Sequence, residues 1–218
     1  IANEHNELKT KFIRNISSQM EPTLNTLGTS AKELSAQAPR YAEQMQAQVA
    51  ALKQFSDNIQ ELSSLENSLT EPYEMGEVNA GTFCESVMEK AKEFMKPAVT
   101  PSVNAPKLQV KTNKEQLERI LLYLLKNAAF YTEQGRISLD FKKRGAHTHQ
   151  FIITDTGTGI PAEQQENLFK PFTQVKDLTT GDGLGLPICS LIATKMNGSL
   201  TLDTSYTKGC RFILELHA

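Results

Sequence analysis

Residues 113–161 read NKEQLERILLYLLKNAAFYTEQGRISLDFKKRGAHTHQFIITDTGTGIP. The first part, from Asn113 to Tyr131, predicts one long helix, because apolar residues recur every three or four positions along it. Apolar and polar residues then alternate over 137–141 and again over 151–153, a pattern that predicts a pair of strands. A buried helix followed by paired strands predicts a layered α+β domain, with helices on one face of a sheet.

The spacing of apolar residues also predicts the elements in the rest of the second half of the chain. It predicts helices over Thr82–Met95 and Gly185–Met196, and short strands over 108–110, 200–202 and 212–216. The stretch SLTEPYEMG, at 68–76, lacks either periodicity and is typical of a linker.

The first third of the chain predicts two long amphipathic helices. Apolar residues recur at steps of three and four from Leu8 to Leu34, and again from Tyr41 to Leu69. The break falls at Ala38-Pro39, since proline suits the first turn of a helix. An isolated hairpin would leave half of each apolar stripe exposed, whereas a second copy would cover it in a four-helix bundle. We therefore expect a homodimer; the alternative is that the stripes pack on the rest of this chain.

Composition excludes several classes of protein. The 218 residues include 23 Lys and Arg and 25 Asp and Glu, a net charge of −2, which argues against a nucleic-acid binder. No run approaches the roughly 20 apolar residues of a membrane span. Three scattered cysteines indicate neither a disulfide framework nor a metal site. The chain starts at Ile1 without a signal-peptide pattern, so we expect a cytoplasmic fragment that makes no direct membrane contact, cut from a soluble protein or from a membrane-bound receptor.

Three segments of the second half carry candidate chemistry, the first of them DTGTGIP at 155–161. Asp155 ends a strand and can accept a hydrogen bond from an exocyclic amine such as adenine N6. Gly157 and Gly159 allow the backbone to turn closely around a ligand. The alternative is an ordinary glycine-rich turn with a surface aspartate.

The second segment is GDGLGL at 181–186, directly before a predicted helix. Glycine-rich backbone at a helix N-terminus presents free N–H groups and the positive end of the helix dipole, which suit phosphate oxygens. The segment lacks the Lys-Ser/Thr pair of a P-loop and does not open a βαβ unit. The alternative is a flexible loop.

The third segment is KNAAFYT at 126–132, where the long helix ends. The amide oxygen of Asn127 is a reasonable ligand for Mg²⁺, which prefers a few protein oxygens together with phosphates and water. The alternative is an asparagine that caps the helix.

Taken together, the three segments resemble the ATP-binding domain of sensor histidine kinases, within the superfamily of gyrase, Hsp90 and MutL. Asn127 lies in what resembles the N box, and Asp155 to Gly159 resemble the first glycine box. Leu168 to Phe172 resemble the F box of the ATP lid, and Gly181 to Leu186 the second glycine box. The helical hairpin resembles the dimerisation and phosphotransfer domain. We therefore expect domain boundaries at 1–71 and 76–218.

The resemblance implies a role for each matched residue, with ATP and Mg²⁺ as cofactors. Asn127 would ligate Mg²⁺, Tyr131 would lie against the adenine, and Asp155 would accept from its N6. The base pocket would be shaped by Gly157, Gly159 and Ile160. The phosphates would be held by the backbone of Gly181, Gly183, Leu184, Gly185 and Leu186. Phe169 and Phe172 would anchor the lid.

The phosphoacceptor motif of the family is degenerate here. The family pattern F-x-x-N-I-S-H-E-I/L-R-T-P-L aligns with FIRNISSQMEPTL at 12–24, which places Ser18 at the acceptor histidine and Gln19 at the neighbouring base. A serine hydroxyl needs an adjacent base to become nucleophilic, and glutamine cannot accept the proton. We expect surface positions for all four histidines, His5, His147, His149 and His217. Conventional autophosphorylation is therefore not expected.

The nucleotide motifs also depart from the family pattern. Phe130 stands where a Lys or Arg is usual, which removes a cation near the phosphates. Lys126 and Lys176 are candidates to replace it. Cys210 stands where a threonine commonly follows the last glycine. Tyr123 occupies the place at which gyrase-type and MutL-type ATPases carry a water-activating glutamate, so that activity is disfavoured.

The leading hypothesis is a homodimeric sensor histidine kinase relative that binds ATP and Mg²⁺ and has lost its phosphoacceptor. Its partners would be a response regulator or an intact kinase. Two alternatives stay open. The chain is an active kinase or phosphatase that acts on a partner protein, or it is a dimeric scaffold whose pocket binds no nucleotide.

Overall fold

The computed structural model describes residues 13, 20–33, 38–171 and 183–217. The described residues divide into two compact units, the first within 1–69 and 168–188 and the second within 70–167 and 189–218. Ser18 and Gln19 of the phosphoacceptor motif lie outside the described residues. The domain boundaries expected from the sequence stay predictions.

The first unit contains the helical hairpin that the apolar stripes predict. Helix α1 is described over 20–33, and α2 runs over Pro39–Asn67 with its proline in the first turn. The two helices approach closely at Gly28, where an added Cβ would lie 3.6 Å from the Val49 side chain. The buried apolar residues of the hairpin are Leu24, Ala31, Ala42, Leu62 and Leu65.

The second unit is built on a five-stranded sheet of order β2-β4-β5-β7-β6. Its strands are β2 Val99–Asn104, β4 Gly135–Lys143, β5 Thr148–Asp155, β6 Gly198–Leu202 and β7 Arg211–His217. Strand β2 runs parallel to β4, and the other neighbours are antiparallel. Two further strands, β1 Gly76–Asn79 and β3 Gln109–Thr112, form a separate antiparallel pair.

Helices α3 (Ala80–Ala91) and α4 (Lys114–Tyr131) pack on the sheet and on each other. Asparagine side chains cap both helices: Asn79 accepts from the Thr82 N–H and Asn113 from the Gln116 N–H. Alternate residues of β4 are buried, as the sequence pattern requires for a sheet covered by helices on one face. A 3₁₀ turn Lys92–Phe94, the short α5 Ala162–Gln165 and α6 Gly185–Lys195 complete the elements. The α+β class is confirmed.

His149 corrects one expectation from the sequence. Strand β5 begins at Thr148, so His149 lies within the strand opposite Lys143, and only 7% of its surface is exposed. Its ring stacks on Phe141 at 5.7 Å between centroids, and burial lowers its pKa. The surface position predicted for His149 is wrong because β5 pairs with β4 beyond the residues at which apolar and polar side chains alternate. His147 and His217 are exposed.

Strands β1 and β2 were not predicted from the sequence. Strand β2 reads VTPSVN, and Pro101 weakens any strand pattern because it lacks a backbone N–H. The strand lies at the edge of the sheet, where one row of N–H groups needs no partner strand.

A membrane span needs a helix that is both long and apolar. Among the described residues, no helix combines the length and the apolar character that such a span needs.

Candidate functional site

Asp155 ends β5 with its carboxylate held by two backbone groups. Oδ1 accepts from the N–H of Gly157 at 2.8 Å and from the N–H of Cys210 at 3.2 Å. No described residue bonds Oδ2. The residue is 4% exposed, and burial raises the pKa of its carboxyl, against the lowering effect of the two N–H bonds. Oδ1 is therefore fixed by two N–H groups, whereas Oδ2 bonds no described residue.

The first glycine box packs directly against the end of α4. A Cβ on Gly157 would lie 2.4 Å from the carbonyl oxygen of Tyr131 and 2.8 Å from Oγ1 of Thr132. The N–H of Thr158 donates to the same Tyr131 carbonyl at 3.2 Å. Only glycine fits at position 157, so the structure brings the predicted N box and glycine box together through their backbones.

A second backbone segment closes on Asp155 from the loop between β6 and β7. Gly209 has a φ of +147°, and a Cβ there would lie 2.2 Å from the Asp155 carbonyl oxygen. Gly159 has a φ of +72° and faces Gly209, with a Cβ-to-carbonyl-oxygen distance of 3.5 Å. Both positions favour glycine because other residues are strained at such angles. Ile160, which follows Gly159, is half-buried, and its carbonyl accepts from the Gln165 side chain at 2.8 Å.

The last turn of α4 presents the other predicted ligand residues. Asn127 is half-buried, and no hydrogen bond joins its amide to another described residue. Tyr131 is 53% exposed, and its ring meets that of Phe130 edge-on at 4.9 Å. Lys126 lies with Nζ 4.2 Å from the ring centroid of Phe94, in a cation–π contact. The role of Lys126 at the phosphates stays a prediction.

The second glycine box is described from Gly183 onward and belongs to the first unit. Gly183 has a φ of +68°, and α6 begins at Gly185, as the sequence predicts. Leu184 is buried, and its carbonyl accepts from the Ile188 N–H at 2.9 Å, so it opens the helix. The first N–H groups of a helix have no partner within it, and those of Gly185 and Leu186 are in this position. Gly181 and Lys176 lie outside the described residues, as does Phe172 of the F box.

The three cysteines, Cys84, Cys189 and Cys210, are buried free thiols. Burial and, to a smaller extent, the nearby charge of Asp155 raise the pKa of Cys210 to about 12. The thiol next to the candidate site is therefore protonated at neutral pH and a poor nucleophile.

Motif reasoning missed two residues that contact the Asp155 end of β5, Tyr206 and Arg211, and a third, Asp203, that pairs with Arg211. Tyr206, in the β6–β7 loop, donates its hydroxyl to the backbone carbonyl of Asp155 at 3.2 Å. The guanidinium of Arg211 lies over the Tyr206 ring at 4.2 Å and is also paired with Asp203 and Thr154. None of these residues belongs to a recognised box. The only sequence signal is an aromatic, an acid and an arginine within residues 203–211, on either side of Gly209.

About half of the chain matches a known family model, and known proteins align with about half of it or more. Residues 112–218 match the family model described as histidine kinase-, DNA gyrase B-, and HSP90-like ATPase. The aerobic respiration control sensor protein ArcB of Escherichia coli is 26% identical over 224 aligned residues, 96% of this chain and 29% of its own length. The sensor histidine kinase RppB of Synechocystis is 39% identical over 111 residues, 48% of this chain and 24% of its own length. The chain thus spans less than a third of these relatives.

Solved structures share the fold. Full-length ShkA in complex with AMPPNP superposes with a TM-score of 0.74 at 21% identity, covering 94% of this chain and 45% of ShkA. The histidine kinase AdeS of Acinetobacter baumannii superposes with a TM-score of 0.69 at 20% identity, covering 91% of this chain and 96% of that one. Residues 112–218 thus carry an ATPase domain of the type described for histidine kinases, DNA gyrase B and HSP90. Over most of its length the chain is similar to sensor histidine kinases.

Proposed function

We propose that this chain is the core of a sensor histidine kinase that binds ATP with Mg²⁺, assembles as a homodimer and lacks the ordinary phosphoacceptor. The observation that carries the proposal is the carboxylate of Asp155. Its Oδ1 is fixed by two backbone N–H groups, while Oδ2 bonds no described residue. An ionised carboxylate only accepts hydrogen bonds, so it suits the exocyclic amine of adenine and opposes the oxygen that guanine carries at the same place.

The residues around Asp155 fit a nucleotide. The exposed ring of Tyr131 offers an apolar face to a base, and Gly157 keeps the neighbouring turn tight. In the first unit, the N–H groups of Gly185 and Leu186 at the start of α6 are a separate feature that suits phosphate oxygens. The similarity to ShkA, whose structure contains AMPPNP, supports the same assignment.

Asn127 is the residue proposed to hold Mg²⁺. Among the described residues, no group of three or more His, Cys, Asp or Glu side chains could hold a metal ion. The ion would therefore take most of its ligands from phosphates and water, which is the usual arrangement for Mg²⁺ in nucleotide sites. Bound Mg²⁺ neutralises charge on the phosphates.

The hairpin is the proposed dimer interface. An open apolar groove of about 570 Å³ follows the facing sides of α1 and α2. It is lined by Leu27, Tyr41, Gln44, Met45, Ala47, Gln48, Val49 and Leu52. Leu27 and Tyr41 are exposed within a single chain, as expected if a second copy covers them.

Signalling in this proposal depends on a partner. Ser18 and Gln19 replace the acceptor and its base, so the γ-phosphate of ATP would pass to an acceptor residue on a response regulator or an intact kinase, or the conformation of the chain would act on such a partner. The relatives are named as sensor proteins, and ArcB as a control sensor of aerobic respiration. We also propose a cytoplasmic location for the chain.

Two measurements test the proposal. Titration calorimetry with ADP and Mg²⁺ should give a binding isotherm, and no heat together with no thermal shift at millimolar nucleotide would leave only the scaffold alternative. Incubation with labelled ATP should leave the chain free of acid-labile phosphate. Label on the chain would contradict loss of the acceptor, and label on an added partner domain alone would establish a kinase that acts in trans.

A further inference from the structure

The backbone hydrogen bonds between β5 and β7 depart from the regular antiparallel pattern at Asp155. The N–H of Asp155 donates to the carbonyl of Cys210 at 2.9 Å. In a regular antiparallel pair the N–H of Cys210 would return a bond to the Asp155 carbonyl. It donates instead to Oδ1 of the Asp155 side chain, at 3.2 Å. The backbone carbonyl of Asp155 therefore needs a donor from outside the ladder.

Tyr206 supplies that donor. Its hydroxyl donates to the Asp155 carbonyl at 3.2 Å and so takes the place that the Cys210 N–H has left. A buried carbonyl without a hydrogen-bond donor destabilises the folded chain. The Tyr206 hydroxyl supplies the donor, while the Cys210 N–H stays bonded to the Asp155 carboxylate. The two hydrogen bonds depend on each other, because one N–H cannot serve both acceptors well.

The position of Tyr206 is itself fixed by its neighbours. The guanidinium of Arg211 lies over the ring at 4.2 Å, pairs with Asp203 through Nη1 at 3.3 Å and donates from Nε to Thr154 at 3.2 Å. The backbone N–H of Tyr206 donates to the Asp203 carbonyl at 3.2 Å. Asp203 also accepts from the hydroxyl of Ser205 at 2.6 Å. The loop is thus tied to the strand that ends in Asp155.

We propose that Tyr206 is a positioning residue, which holds the Asp155 carboxylate in the orientation that selects purines with an amino group at C6. The inference rests on the proposed nucleotide function. Without the hydroxyl, the Cys210 N–H can return to the Asp155 carbonyl and release Oδ1. The carboxylate is then held by the Gly157 N–H alone and can turn, because the terminal torsion of aspartate is soft.

The test compares two nucleotides on one variant. Tyr206→Phe keeps the ring under Arg211 and removes only the hydroxyl. Calorimetry would measure the dissociation constants of ADP and of purine riboside 5′-diphosphate, which lacks the 6-amino group, both with Mg²⁺. We expect wild type to prefer ADP by about tenfold or more, the worth of a hydrogen bond to a charged group. In Tyr206→Phe the preference should fall several-fold.

Two further variants sharpen the comparison. Tyr73→Phe removes a tyrosine hydroxyl elsewhere in the second unit, keeps the ring whose centroid lies 4.6 Å from Nζ of Lys195, and should leave the preference unchanged. Arg211→Lys keeps the charge but loses the planar guanidinium that covers the Tyr206 ring, and should lower the preference by a smaller factor. It provides an independent test if Tyr206→Phe folds poorly.

The outcomes separate this inference from the proposed function. A wild-type chain that binds neither nucleotide overturns both. A wild type that binds both equally, or a Tyr206→Phe variant that loses affinity for both by the same factor, overturns the positioning role and leaves nucleotide binding standing. A ratio that falls in Tyr206→Phe and stays unchanged in Tyr73→Phe is the expected result.

Discussion

Asp155 combines a buried carboxylate with a proposed role that needs its negative charge. Burial raises the pKa of its carboxyl, and the N–H groups of Gly157 and Cys210 oppose that rise. Asp203, on the β6–β7 loop, shows the reverse: its pKa is lowered, chiefly by the hydroxyl of Ser205 and also by Arg211. The two aspartates therefore contribute to folding with opposite dependence on pH.

Replacement of Asp155 by asparagine should separate binding from stability. Because the pKa of Asp155 is higher in the folded chain, protonation favours folding, and this stabilisation is lost as the pH rises through the folded pKa. Asp155→Asn should therefore unfold at an equal or higher temperature than wild type at pH 7, and the difference should shrink as the pH is lowered. Its affinity for ADP should fall at least tenfold, about 1.5 kcal/mol or more.

Asp203→Asn is the matched control for that experiment. A lowered pKa stabilises the folded chain above the unfolded pKa, and the stabilisation is lost as the pH falls through the folded value. This variant should be less stable than wild type at pH 7 and should approach it in acid. Thermal unfolding of both variants between pH 3 and pH 7 measures the two trends, and trends of the same sign would contradict the assignment.

Single residues also mark the limit of sequence reasoning at the site. Asp155 and Gly157 were identified because their roles depend on residue type and spacing along one strand end. Tyr206 and Arg211 were not, because their roles arise from a hydrogen bond diverted across two strands. The local sequence does not show whether the Cys210 N–H donates to the carbonyl or to the carboxylate of Asp155.

The elements follow the sequence where packing is regular and depart from it at edges. Helix α4 was predicted within one residue, since its apolar face is continuous and Asn113 provides the N-cap. Strand β2 was missed because Pro101 and its polar neighbours hide an edge strand. His149 was misplaced because strand pairing, rather than side-chain pattern, sets the start of β5.

Substitution of Gly157 tests how tightly the end of α4 packs against the first glycine box. Gly157→Ala would place a methyl group 2.4 Å from the Tyr131 carbonyl oxygen, so either the helix end or the turn must move. We expect a loss of about 1–3 kcal/mol in the free energy of unfolding and weaker ADP binding. Chemical denaturation measures the first and calorimetry the second.

Gly145→Ala is the control for that junction. Nothing lies within 4 Å of a Cβ at Gly145, in the turn between β4 and β5. Its free energy of unfolding should stay within about 0.5 kcal/mol of wild type or rise slightly, because alanine restricts the unfolded chain. An equal loss in both variants would show that Gly157 is not specially constrained.

The described residues of the first unit expose apolar side chains along a groove beside α2. The groove is mainly apolar, with Gln44 and Gln48 among its lining residues, and Leu27 within it is 41% exposed. Apolar patches of this kind mark interaction sites. Because the groove lies in the first unit and Asp155 in the second, a substitution in the groove leaves the residues that contact Asp155 unchanged.

Leu27→Glu should convert the proposed dimer into a monomer and leave ADP affinity within about twofold of wild type. The glutamate is solvated in a single chain, so folding is little affected, whereas in a dimer its charge would be buried without a partner. Leu69→Glu is the control, since Leu69 is similarly exposed at 37% and lies outside the groove. Sedimentation equilibrium gives the mass of each variant. A monomeric wild type, or equal dissociation by both substitutions, would place the homodimer interface elsewhere or remove it.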